Sequence, residues 1–154
     1  MEFLFDGNDC SELQTIELNG LRFARWSDLR AHRNMPMARG EQWIGKVDDW
    51  LANTITQSHA DLGRKGAICP YVKRAPMLDG IIALAVRGAA SSPSQWLNLV
   101  RRSQIAFQRF QTDCNHVGLF SSLLIIAPDL EPAQADKLFV HTLDALKTQF
   151  VRSG

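Results

Sequence analysis

Residues 80–87 read Gly-Ile-Ile-Ala-Leu-Ala-Val-Arg, a continuous apolar run bounded by Asp79-Gly80 and Gly88. It is rich in apolar and β-branched side chains with no polar alternation, which predicts a strand covered on both faces. A second run, Leu-Phe-Ser-Ser-Leu-Leu-Ile-Ile-Ala at 119–127, stops at Pro128 and reads as a second buried strand. Between the two runs, Ser92 offers an N-cap, Pro93 sits at the first helical position and Gln95 completes a Ser-x-x-Gln box. The helix expected over 93–112 puts Trp96, Val100, Phe107 and Phe110 on one stripe. Pro132 opens a further helix, expected over 132–150, in which Leu138, Phe139, Leu143, Leu146 and Phe150 share a face. Strand, helix, strand, helix predicts a βαβα unit with right-handed crossover. Trp96, Val100, Phe107, Leu143, Leu146 and Phe150 are the expected core of this half.

Working outward, Leu13 to Trp26 alternates imperfectly about Asn19-Gly20, a good two-residue hairpin turn. Strands are expected at 13–18 and 21–26, then a short helix over 27–34 capped by Ser27. Glu41 to Gln57 reads as a helix with Ile44, Val47, Leu51 and Ile55 on one face, extended by Trp43 and Trp50. The fold class is therefore α/β (or α+β): a small mixed sheet, helices packed on it, an irregular N-terminal half, and one domain over 1–154.

The composition bounds the function. With 154 residues, 45% of them apolar and 21% charged, the chain can bury a real core. A net charge of +1 provides no field for gathering nucleic acid or an anionic membrane. Locally the charge is uneven. Residues 1–20 hold five acids and no base, and 21–39 hold five arginines against Asp28, which reads as two solvated faces able to approach each other, with an anion-binding patch as the alternative. Cys10, Cys69 and Cys114 form an odd set with no CxxC, so neither a disulfide framework nor a cysteine zinc site is expected. The acidic N-terminus has too short an apolar run for a signal peptide, and no run reaches the roughly 20 residues of a membrane span. A soluble, cytoplasmic protein is expected.

Chemistry concentrates in His59-Ala-Asp-Leu-Gly-Arg-Lys-Gly-Ala-Ile-Cys-Pro-Tyr-Val-Lys-Arg74. Pro70 stiffens the turn that presents Cys69. Arg64, Lys65, Lys73 and Arg74 would favour a thiolate if they fold around it. The alternative is an unreactive cysteine packed at a strand start. His59 follows a helix end, where it serves as a base, a metal ligand or a capping residue. Gly63 and Gly66 flank Arg64-Lys65, as in an anion-binding turn or one that needs positive φ. His116, in Asp-Cys-Asn-His at 113–116, is a third candidate beside Cys114, with a polar turn as its alternative. His32 and His141 read as solvent-exposed. Asp48 and Asp49 are neighbours on a helix and so do not form a carboxylate pair. No Walker loop, GxGxxG, Gly-x-Ser-x-Gly or His-Glu-x-x-His is present. The four tryptophans read as core or as the walls of a pocket for a flat ligand.

The stretch Leu62-Gly-Arg-Lys-Gly-Ala-Ile-Cys-Pro-Tyr71 resembles a bacterial family of small proteins that carry LGRxGxxCP followed by an aromatic. Its Cys-Pro-aromatic element also resembles that of the YqcI/YcgG-like family, some of whose members are haem-dependent enzymes that oxidise amine or guanidine nitrogens. Leu62, Gly63, Arg64, Gly66, Cys69, Pro70 and Tyr71 carry the likeness, with Tyr71 where the broader family usually has Phe. The resemblance implies an oxidoreductase of small-molecule biosynthesis with haem as cofactor. Under that reading Cys69, His59 and His116 are the catalytic candidates. His59 and Cys69 are the candidate metal ligands, and Arg64, Lys65, Arg74 and Tyr71 are the candidates for holding the cofactor; the resemblance itself assigns no iron ligand. The second reading is a non-catalytic module that holds an anionic small molecule or a partner protein through the 59–74 loop. The expected partner is a small-molecule substrate, with no nucleic acid and no membrane, and a homodimer is left open.

Overall fold

The structure is a computed structural model that describes residues 1–5, 13–31, 43–63, 65–89, 92–114 and 120–152. Its centre is β4 (Ile81–Arg87), the apolar run of the opening paragraph. The hairpin β2 (Thr15–Leu18) and β3 (Leu21–Arg25) joins β4 antiparallel through Ala24↔Ala83 and Arg25↔Ile82. The two-residue strand β1 (Glu2–Phe3) is also antiparallel to β4, at Phe3↔Val86. β5 (Ser122–Ile126) lies parallel to β4 from Ile81↔Ser122 to Ala85↔Ile126. The sheet is mixed, and four helices pack on it: α1 (Trp26–Ala31), α2 (Trp43–Trp50), α3 (Pro93–Asp113) and α4 (Pro132–Arg152).

Strand periodicity divides the core in two. Ile81, Ala83 and Ala85 face Trp26, Leu29, Trp43, Ile44 and Leu51, from α1, α2 and the turn after it. Ile82, Leu84 and Val86 face Phe23, Leu99, Ala106, Phe110 and Leu138, from β3, α3 and α4. Six of the seven β4 side chains, Ile81 to Val86, are buried, each contributing roughly 1–3 kcal/mol according to its size. The hairpin turn has positive φ at Asn19 (55°) and Gly20 (67°), as a type I′ turn requires. Arg102 of α3 donates to both turn carbonyls, at 3.2 Å to Asn19 and 2.9 Å to Gly20. The hairpin is thereby tied to α3.

Several expectations change on contact with the tertiary structure. The inward side of α3 is Leu99, Ser103, Ala106 and Phe110, all buried, roughly 60° round the helix from the expected stripe. Trp96, Val100 and Phe107 are half-buried on its shoulder. The small side chains of Ser103 and Ala106 let α3 approach the sheet closely, and bulk alone did not reveal that. On α4, Leu138 and Thr142 point inward, Leu146 is half-buried and Leu143 is exposed. The side chain of Phe150 lies outside the described residues. β5 is half-buried at all five positions rather than fully buried, because β4 flanks it on one side and α4 leaves a hollow against it. Trp43 is buried but Trp50 is 45% exposed. Ser27 lies inside α1, and its hydroxyl donates to Asp79 Oδ1 at 2.5 Å instead of capping. Ser92 occupies the N-cap position of α3 without a side-chain cap bond. Two of the described arginines of that stretch pair with acids from later in the chain, Arg25 with Asp79 and Arg30 with Asp48, both at 2.9 Å.

Candidate functional site

The site starts where α2 loses its regular winding. Asn53-Thr54-Ile55-Thr56 is a run of poor helix formers. Over Leu51–Ile55 the helix widens into a π-helical turn, a rare form that is frequent at functional sites. The Ala52 carbonyl is closed by side chains: the Thr56 hydroxyl donates to it at 2.5 Å and the Gln57 amide at 3.3 Å. The chain then leaves and returns. Ser58 bridges Ala67, Ile68 N–H donates to Gln57 O, and Cys69 N–H donates to Ile55 O, the last two at 3.1 Å. Residues 58–67 therefore form a loop pinched at its neck. Its short 3₁₀ turn, Ala60–Leu62, ends on Gly63 in the left-handed region (φ 61°), which any Cβ would strain.

Beyond the neck the chain lies back on the core, with Val72 and Ala75 buried. This return, the π turn and α1 enclose a hollow of about 300 Å³. Trp26, Leu51, Val72 and Pro76 supply apolar walls, and Arg30, Asp48, Thr56, Gln57 and Lys73 supply polar groups. Asp48 fixes one wall by accepting from Trp26 Nε1 at 3.3 Å and pairing with Arg30 Nε at 2.9 Å. The volume is at the small end for ligand sites, and an apolar body with a few convergent polar groups is their usual make-up.

The residues singled out from sequence fall in several places. Val72 and Lys73 line the hollow. His59 and Lys65 are exposed on the pinched loop, and His59 Nδ1 lies 3.7 Å from Asp61 Oδ2. Cys69 is half-buried at the neck and packs against the core on the α1–α2 side. Tyr71 and Arg74 meet Phe120, Tyr71 with ring centroids 6.2 Å apart and Arg74 with its guanidinium 5.4 Å from the ring centre. Phe120 directly follows the 115–119 stretch, so the structure joins the Cys-Pro-Tyr segment to the approach to β5. Arg64, His116, Cys10 and His32 lie outside the described residues, and His141 is exposed. Sequence reasoning missed Arg30, Asp48, Thr56 and Gln57 as lining groups. The signal was present in the weak helix formers at 53–56, which mark where α2 opens.

Haem, which the resemblance implied, calls for an axial ligand facing a cavity that admits the macrocycle. His59 instead stands exposed beside Asp61, and Cys69 packs against apolar side chains. Neither is among the residues that line the hollow beside the π turn, the one bounded by Phe3 and Gly20, or the one bounded by Trp96 and Phe139. Among the described residues no three of His, Cys, Asp and Glu converge as metal ligands. No described helix is long and apolar enough to cross a membrane.

Residues 44–154 match the model of a family described as a domain of unknown function (DUF6875), and the chain belongs to that family. No curated protein and no solved structure matches it.

Proposed function

We propose that this member of the DUF6875 family binds a small anionic molecule in the hollow between α1, the π turn and residues 72–76. The observation that carries this reading is the π turn itself. Its Leu51 and Ala52 line the hollow, together with Lys73 and Arg30 as cations and Trp26, Val72 and Pro76 as apolar wall. A ligand with a flat apolar body and one carboxylate or phosphate matches that lining, with its anionic group on Lys73. Arg30 is already paired with Asp48, so Lys73 is the cation that responds to the ligand. Trp26 reports occupancy, since its indole is part of the wall.

Titration of the purified chain with benzoate and phenyl phosphate, followed by tryptophan fluorescence, tests this. Saturable binding is expected, weakened about three- to tenfold in Lys73→Ala and further reduced by salt. Binding that is absent, or indifferent to Lys73→Ala, would sink the reading. The oxidative reading is separated by an absorption spectrum of the same sample, because a haem protein shows a Soret band.

A further inference from the structure

We propose that α4 is the seam of a two-fold dimer, in which it packs antiparallel against α4 of a second copy. Leu138 and Thr142 turn this helix onto the core. The opposite side carries Asp136, Phe139, Val140, Leu143 and Lys147, at spacings of three, four, seven and eleven from the first, which is one stripe. Its apolar members are open to solvent: Phe139 is 64% exposed, Val140 56% and Leu143 38%. Phe139 also borders the hollow of about 550 Å³ between α3, β5 and α4, so stripe and hollow form one apolar surface. Scattered exposed apolar residues are ordinary, but a continuous patch marks an interaction site.

The order of charges selects the occupant. An acid stands at the N-terminal end of the stripe and a base at its C-terminal end, about 16 Å apart at 1.5 Å per residue. Two copies laid antiparallel bring Asp136 of each to Lys147 of the other, and Val140 to Leu143, about an axis between residues 141 and 142. A parallel arrangement sets Asp136 against Asp136 and Lys147 against Lys147. The stripe is therefore complementary to itself under a two-fold rotation, as a closed dimer requires. The seam is short, so the dimer is weak, with Kd on the order of 10 μM.

Sedimentation equilibrium of the full chain from about 1 to 300 μM tests this. A monomer–dimer equilibrium is expected. Phe139→Glu should be monomeric throughout while keeping its thermal melt, since the side chain is mostly in solvent. Asp136→Lys alone and Lys147→Asp alone should each weaken association about tenfold. The double variant Asp136→Lys/Lys147→Asp should restore it, because exchanging both charges recreates both pairs. A wild-type chain that is monomeric across the range would overturn the proposal, as would a Phe139→Glu dimer. A double variant no better than the single ones would overturn the antiparallel register.

Discussion

Cys69 serves two structural ends: its N–H closes the neck on Ile55 O, and its side chain packs half-buried against the core. Cys69→Ser places a hydroxyl among apolar neighbours and should cost about 1–2 kcal/mol in urea unfolding. Unchanged stability with altered ligand affinity would instead put the thiol at the binding surface. Phe107 and Phe110 make a second comparison. They stack with ring centroids 6.3 Å apart, and Arg25 lies 5.8 Å from the Phe110 ring centre, yet Phe110 is buried and Phe107 half-exposed. Phe110→Ala should cost about 3–5 kcal/mol and Phe107→Ala roughly half that. Equal losses would mean that the two rings are equally packed. Both residues read alike in the sequence, because hydrophobicity states that a ring is suited to burial and not how far a neighbour covers it.

At the scale of elements, local chemistry was legible where it is self-contained. Asn19-Gly20 announced the hairpin, since few residue pairs accept positive φ twice in succession. Gly20 lies at φ 67°, and a Cβ there would stand 3.1 Å from Arg102 Nη2. Gly20→Val should therefore lose about 1–2 kcal/mol in thermal or urea unfolding, and a neutral result would show that the turn relaxes away from α3. The proline starts of α3 and α4 were equally readable, because proline fixes the first helical φ whatever lies around it. The capping box at Ser92 was not. Its residues are present, but the side-chain bond also depends on how the loop before α3 arrives. The π turn has no residue signature beyond the weak helix formers at 53–56. Its form depends on the returning strand of chain at 67–69, which takes Ile55 and Gln57 as hydrogen-bond acceptors.

At the scale of the molecule, β4 joins both halves of the core, so the two faces should melt together in one cooperative transition. The family match begins at residue 44, yet Phe23, Ala24, Trp26 and Leu29 are at most 1% exposed. A chain starting at residue 43 would bare one face of β4 and its pairing with β3. It should show no cooperative unfolding by circular dichroism, and a sharp transition in that fragment would prove the N-terminal hairpin dispensable. For β2 to β5 and α1 to α4, whether a segment becomes strand or helix was settled by the sequence itself, as was the place of the tight turn, because apolar period, proline and the Asn-Gly pair act over a few residues; the short β1 and the π turn were not legible in this way. The tertiary structure alone decided which side of α3 meets the sheet, how far β5 is covered, and that Lys73 shares a hollow with Arg30 and Asp48. Those outcomes depend on the approach of elements distant in the chain, which close packing resolves by small side chains as much as by large ones.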